Sequence, residues 1–157
     1  MNLMIKKLKV LLGLDIKTIG LFIEAFIYLG WARFQVLFCP FSKLAPSLGV
    51  YMKESEEEIT EGHCKDLKSI RHSIQIISKY TLWESKCLVR AIAALKMLER
   101  RNIDSTLYLG TGKDENGKMI AHAWLRSGSM YVTGYEEMHR FTVTGKFAKI
   151  TKLVGGK

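Results

Sequence analysis

The sequence predicts an α+β fold in which helices come first and a small antiparallel sheet follows. Up to about residue 101, apolar residues recur at helical spacing, whereas beyond Asn102 they alternate with a period of two. Asn116–Gly117 lies between two of the alternating segments and is typical of a hairpin turn. We therefore expect the sheet to pack against the last helix before Asn102.

The first third of the chain is predicted to be helical and apolar, with helices over residues 3–12 and 17–38. Two prolines and a glycine then predict a stretch without helix: Pro40, Pro46 and Gly49. The acidic residues 54–61 favour a solvated loop or helix start. Length and composition predict a single domain over residues 1–157, with a helical front end at 1–60 and the core at 61–157.

Residues 19–39 are long enough to span a bilayer. Glu24 and Arg33 lie inside this segment, and each would cost about 2.5–3.5 kcal/mol near the membrane centre. A helix that is buried in the fold or docked on a partner is therefore favoured over a membrane span. Peripheral membrane contact through residues 19–39 is the alternative.

The later elements follow from the change of period. Residues 66–79 and 85–101 are predicted helices, the second with Ser85 as its N-cap and Asn102 at its end. Strands are expected at four places: residues 106–110, 118–125, 130–133 and 140–144.

Charge and cysteine usage exclude several classes of protein. The net charge of +9 comes without an RNA-binding signature or a zinc-finger spacing, so we expect no nucleic-acid partner. Cys39, Cys64 and Cys87 lie far apart, which does not predict a disulfide framework or a metal site. We expect a cytoplasmic protein, since the basic and apolar N-terminus lacks a convincing cleavage site. We also expect that it uses no cofactor.

Cys87 is the first candidate for chemistry. With Ser85 as N-cap, Cys87 falls at about the second position of the helix, where unpaired N–H groups and the positive end of the dipole favour an anion. A thiolate is such an anion, and Lys86 favours it further. The alternative is a small apolar residue that fills the core, as most unpaired cysteines do.

His122 is the second candidate. It lies in a predicted strand whose two faces are both apolar, and it shares one face with Ile120 and Trp124, so we expect it to be buried. A cysteine at a helix start followed by a histidine on an antiparallel strand is the order found in papain-like and transglutaminase-like hydrolases. There the imidazole deprotonates the thiol and later protonates the leaving group. The alternative is a core histidine with a hydrogen-bond partner.

Four segments resemble the lasso peptide biosynthesis B2 protein family: "CLVRAIAALKMLERRNID", "AHAWLRSG", "VTGYEEMHRFTV" and, near the N-terminus, "EAFIYLGWARFQVLFCPFSKLAPSLG". The resemblance covers roughly residues 18–147. Members of that family are transglutaminase-like cysteine peptidases that remove the leader from a lasso precursor. The resemblance implies a transglutaminase/papain-like core, in which Cys87 is the nucleophile and His122 the general base.

The family's third catalytic residue is an acid, usually Asp, that orients the histidine. No Asp follows Asp114, and the first place to look holds Gly134. Glu136 and Glu137 are the nearest carboxylates, and Glu136 is the expected third member. A Cys–His pair oriented by a backbone or amide group is the alternative.

The oxyanion donors have two candidates, the backbone N–H of Cys87 and the indole N–H of Trp83. Core packing is the alternative for Trp83. Arg90, one turn after Cys87, is expected to form a structural ion pair or to contact substrate.

The resemblance also implies partners. We expect a stand-alone peptidase that acts on a lasso precursor peptide with a separate leader-binding protein, a RiPP recognition element, and ahead of an ATP-dependent cyclase. Residues 19–39 would then offer a surface to partner or leader. Two other functions remain open, an acyl or amide transferase on the same fold and a non-catalytic scaffold of the maturation complex.

Overall fold

Five α-helices and a five-stranded antiparallel sheet make up residues 2–151, the part of the chain that the computed structural model describes. The helices are α1 (Leu3–Leu12), α2 (Ile16–Phe38), α3 (Phe41–Leu48), α4 (Cys64–Ile77) and α5 (Cys87–Arg100). The strands are β1 (Val50–Tyr51), β2 (Ser105–Lys113), β3 (Met119–Ser127), β4 (Met130–Thr133) and β5 (Thr142–Lys149), in the order β1-β5-β2-β3-β4. The predicted α+β fold class is confirmed.

Helix α5 lies at the centre of the core. Every residue from Ala91 to Leu95 has no exposed surface, as expected for a helix that is apolar nearly all round. Helices α2 and α4 pack on α5 from one side, and β2, β3 and β4 pack on it from the other. The N-terminal end of α5 is thereby held between a helical layer and the sheet.

The hairpin between β2 and β3 forms where the turn signal predicts it. Lys113 pairs with Met119, and the Asp114 carboxylate accepts hydrogen bonds from the backbone N–H groups of Asn116 and Lys118. Gly117 takes a positive φ of 75°, which glycine adopts without steric cost. The loop spans residues 114–118 and sets the register that places His122 opposite Gly110.

The expected stretch without helix at residues 40–49 is wrong. Helix α3 occupies residues 41–48, follows Pro40 and contains Pro46. Leu44 and Leu48 lie one turn apart and are buried, so packing of this face outweighs the backbone hydrogen bond that Pro46 cannot donate. Strand β1, which follows directly, pairs with the end of β5 and was not predicted.

The last strand also differs from expectation. Arg140 ends a short 3₁₀ helix (Met138–Arg140), and β5 runs over residues 142–149 rather than 140–144. Phe147 and Ala148 are both buried although they are neighbours, so the alternation that marks a strand breaks down there. The division into a front end at 1–60 and a core at 61–157 stays a prediction.

Candidate functional site

Cys87 is the first residue of α5. Lys86 is the N-cap residue and has an extended backbone, with no capping bond from its side chain. The predicted N-cap, Ser85, is wrong, because its buried hydroxyl is paired with that of Thr81 at 2.9 Å. Cys87 is half-buried against the core and lies in the first turn of α5, where backbone N–H groups have no helical partner and favour an anion.

His122 stands on β3 between two aromatic rings. Its ring centroid lies 4.8 Å from that of Phe141 and 5.8 Å from that of Trp124, so the predicted sharing of a face with Trp124 is confirmed. A Cβ on Gly110, its partner on β2, would come within 2.9 Å of the Trp124 ring and 3.0 Å of Phe141. His122 is half-buried rather than buried, because its ring opens on a cleft.

The imidazole of His122 is oriented by a backbone group. Its Nε2 atom lies 2.7 Å from the carbonyl oxygen of Gly134. A carbonyl can only accept a hydrogen bond, so Nε2 carries the proton and donates it. In the neutral ring Nδ1 is then the unprotonated nitrogen, which is the form that can take a proton from a thiol.

Gly134 can make this bond because it has no side chain. Its φ is +72°, and a Cβ would lie 2.5 Å from the carbonyl oxygen of Ala123 and 3.0 Å from Cβ of Trp124. The chain after β4 therefore approaches β3 more closely than any other residue would allow. The position expected to hold an acid thus provides a carbonyl acceptor instead of a carboxylate.

Cys87 and His122 line the same cleft, which has a volume of about 550 Å³. Its walls come from α4, the start of α5, β3, and the turn after β4. Residues that bear on chemistry line it as follows: Arg71, Gln75, Cys87, Arg90, His122 and Glu136. The structure thus brings three sequence-predicted site residues to one place, the cysteine, the histidine and the glutamate.

Glu136 is exposed on the turn after β4, at the wall of this cleft. The side-chain hydrogen bond that the structure assigns to His122 goes to Gly134 and not to this carboxylate. Glu137 is exposed too and is paired with Arg140 at 3.5 Å. The role of Glu136 as a third catalytic member therefore stays a prediction, and the backbone orienter has the direct contact.

Trp83 packs against α2. Its ring lies 5.0 Å from that of Phe26, and a Cβ on Gly30 would come within 3.3 Å of it. The indole Nε1 is buried and has no hydrogen-bond partner among residues 2–151. Trp83 is not among the residues that line the cleft, and its role as an oxyanion donor stays a prediction.

Two arginines of the cleft have no acidic partner. The Arg71 guanidinium lies over the Tyr135 ring, 4.5 Å from its centroid, and the Arg90 Nε donates to the carbonyl of Ser85 at 2.7 Å. Within the described range no carboxylate comes within ion-pair distance of either one, so the expected ion pair of Arg90 is absent there. Arg71 was not predicted as a site residue, because nothing in its local sequence marks the face of α4 that lines a cleft.

The arrangement offers no metal site in the part of the chain described, since no three His, Cys, Asp or Glu side chains cluster there. What the cleft does contain is a thiol at a helix start and an imidazole that is hydrogen-bonded through Nε2, which leaves Nδ1 as the basic nitrogen of the neutral ring. These are the two groups that nucleophilic catalysis by cysteine needs.

Comparison with known proteins gives a family. No curated protein and no solved structure matches the chain significantly. The family model of the transglutaminase-like superfamily matches residues 36–146, which is well over half of the chain and includes the whole cleft. The superfamily includes cysteine peptidases and transferases. The chain belongs to the transglutaminase-like superfamily.

Proposed function

We propose that this protein is a cysteine peptidase that removes the leader peptide from a lasso peptide precursor. The observation on which this rests is that Cys87 at the start of α5 and the carbonyl-oriented His122 line one cleft of a transglutaminase-like chain. The restriction to a lasso leader is supported by the resemblance of the segments around Cys87, His122 and Gly134 to the B2 family.

In the first half of the reaction Nδ1 of His122 takes the thiol proton of Cys87. The thiolate then attacks the carbonyl carbon of the peptide bond between leader and core. The backbone N–H of Cys87 would donate to the oxyanion that forms. The imidazolium gives its proton to the leaving nitrogen, so the core departs with a free amine and the leader stays on the sulfur as a thioester.

In the second half His122 takes a proton from water, and the resulting hydroxide attacks the thioester. The bond to sulfur breaks, the leader leaves with a free carboxylate, and the thiol is restored. Throughout both steps the Gly134 carbonyl holds the ring by accepting from Nε2. A carbonyl dipole stabilises the imidazolium less than a carboxylate would, so orientation is its main contribution.

The proposal includes partners. The precursor would be presented by a separate leader-binding protein, and an ATP-dependent cyclase would act on the released core. This places the reaction in the cytoplasm, where ATP is supplied.

Two other functions rest on specific observations. An acyl or amide transferase is consistent with the superfamily, which includes transferases, and it would add the mass of an acceptor amine to the product. A non-catalytic scaffold is consistent with the lack of a carboxylate on His122, and it predicts that alkylation of Cys87 leaves maturation unchanged.

The decisive experiment compares two cysteines at matched positions. Cys87 and Cys64 are each the first residue of a helix and each is half-buried, but only Cys87 lines the cleft. With precursor and leader-binding protein supplied, we expect Cys87→Ala to abolish cleavage and Cys64→Ala to retain it. Mass spectrometry should show a leader with a free carboxylate and a core with a free amine. Undiminished cleavage by Cys87→Ala would refute the proposal.

A further inference from the structure

Helix α1 is basic, amphipathic and uncovered. It makes no extensive contact with any other helix or strand of residues 2–151. One face carries three apolar side chains spaced four residues apart and 59–80% exposed: Met4, Leu8 and Leu12. The remaining surface carries three exposed lysines, Lys6, Lys7 and Lys9, together with three further exposed apolar side chains, Leu3, Ile5 and Val10. No acidic residue precedes Asp15 in the sequence, so this end of the chain is positive throughout.

Helix α2 has an uncovered apolar face of its own. Its inner face is fully buried in the core, through Ala25, Leu29 and Ala32. The opposite face is a stripe of five exposed apolar side chains at helical spacing: Ile16, Ile23, Ile27, Phe34 and Phe38. From Ile16 to Phe38 this stripe is about 33 Å long. The three charged residues of α2 lie off the stripe, so nothing polar interrupts it.

Among the described residues α2 is the helix long and apolar enough to cross a membrane by length and composition. In the fold, however, α2 is attached to the rest of the protein along its length. Both carboxylate oxygens of Glu24 accept from Arg101, the residue that follows α5, at 2.7 Å, and the inner face of α2 packs on α4 and α5. Crossing a bilayer would expose that ion pair and the core to hydrocarbon, which costs several kcal/mol or more. In the folded protein α2 can therefore only lie along a surface.

The residue composition of α1 and α2 indicates whether they bind a protein surface or a membrane surface. Contact faces between proteins are depleted in lysine and are ringed by polar groups that hydrogen-bond across the interface. Helices that lie in the membrane interface combine lysines on one side with leucine, isoleucine and phenylalanine on the other. Residues 3–38 follow the second pattern. Only residues 13–15 separate α1 from α2, so both helices reach the same neighbourhood.

We propose that α1 and the outer stripe of α2 bind the surface of an anionic lipid bilayer. The apolar side chains lie at the boundary between headgroups and acyl chains, and the lysines of α1 contact lipid phosphates. The exposed leucines, isoleucines and phenylalanines of α1 and α2 are thereby removed from water, and exposed apolar patches commonly mark such contact sites. The cleft of Cys87 is not part of this surface, so the inference is independent of the proposed reaction.

The test is flotation of the full chain with vesicles of phosphatidylcholine, alone or with phosphatidylglycerol. We expect binding to the anionic vesicles, weakened at 1 M salt, where the screening length falls to about 3 Å. The triple variant Lys6→Gln, Lys7→Gln and Lys9→Gln should bind roughly hundredfold more weakly. A matched control removes the same charge elsewhere through three exposed lysines: Lys53→Gln, Lys113→Gln and Lys118→Gln.

Several results would overturn this inference. One is a failure of the wild type to bind anionic vesicles, and another is an equal loss of binding in the control variant. The double variant Ile23→Ser and Ile27→Ser should also lose vesicle binding. A different result would assign the surface to a protein partner. In that case the wild type does not bind vesicles, and the double variant loses either a dimer seen by light scattering or binding of the leader-binding protein. Leader cleavage without vesicles should be unchanged in both lysine variants, which separates this inference from the peptidase proposal.

Discussion

The Nε2 atom of His122 donates a 2.7 Å hydrogen bond to the carbonyl oxygen of Gly134. The imidazole is thus held by a neutral group that belongs to the backbone. The backbone can hold the ring in one tautomer without a carboxylate, provided that the chain comes close enough. Gly134 satisfies that condition, because it has no Cβ to collide with β3.

The first prediction separates the backbone orienter from Glu136. If Gly134 orients His122, Glu136→Gln should change kcat/KM for precursor cleavage by less than about threefold. If Glu136 is the third member, the loss should approach the order of 10⁴-fold that follows removal of an orienting carboxylate from a triad. Glu137→Gln is the matched control, since Glu137 is the adjacent exposed acid on the same turn. A selective collapse of activity in Glu136→Gln would assign the role to Glu136.

The second prediction concerns the close approach at Gly134. Gly134 and Gly117 have nearly equal positive φ values, 72° and 75°, but only Gly134 has atoms where a Cβ would go. Gly117→Ala should therefore destabilise the protein by about 1 kcal/mol, from backbone strain alone. Gly134→Ala should cost about 2–4 kcal/mol, because the clash with Ala123 adds to the strain.

Urea unfolding of both variants measures the difference, and equal losses would show that no close approach exists. Gly134→Asp should restore no triad, since its side chain would meet the same obstruction as the alanine. Activity above wild type in Gly134→Asp would contradict the assignment of the carbonyl as orienter.

Much of the fold follows from local patterns, and the exceptions have a common cause. Helix α5 is periodic, apolar and bounded, so its existence and its burial can be predicted from residues 85–101 alone. Helix α3 cannot, because its sequence contains Pro46 and only the burial of Leu44 and Leu48 against the rest of the protein stabilises it. Where tertiary packing outweighs local propensity, the local pattern misleads.

The candidate site, too, could be predicted from the sequence only in part. Cys87 and His122 can be proposed from sequence because thiol and imidazole are rare groups with a distinct chemistry. The orienter of His122 cannot, because every residue has a carbonyl and only the fold determines which one approaches the ring. Arg71 could not be predicted for a related reason: it lines the cleft only because α4 packs against β4.

The third prediction concerns the pH dependence of the ion pair between Glu99 on α5 and Lys149 on β5. The carboxylate of Glu99 on α5 lies 2.8 Å from Nζ of Lys149 on β5 and 2.9 Å from Nζ of Lys96. Burial alone would raise the pKa of Glu99, but the hydrogen bonds from the two lysines outweigh it and hold that pKa below the ordinary value of 4.5. A carboxyl group with a lowered folded-state pKa contributes stability above its unfolded pKa, and this contribution is lost as the pH falls through the folded pKa.

Glu99→Gln should consequently lower the free energy of unfolding at pH 7 by about 1 kcal/mol, a small value because the side chain is one-third exposed and water screens the pair. As the pH falls from the ordinary glutamate pKa through the lower folded-state pKa of Glu99, the gap between wild type and variant should shrink, since the wild-type carboxylate becomes protonated over that range. Urea unfolding at pH 7 and at pH 3 measures both gaps. Glu115→Gln, on the exposed β2–β3 hairpin, is the control and should show no gap at either pH. A gap for Glu99→Gln that widens on acidification would show that Glu99 is not stabilised as a carboxylate.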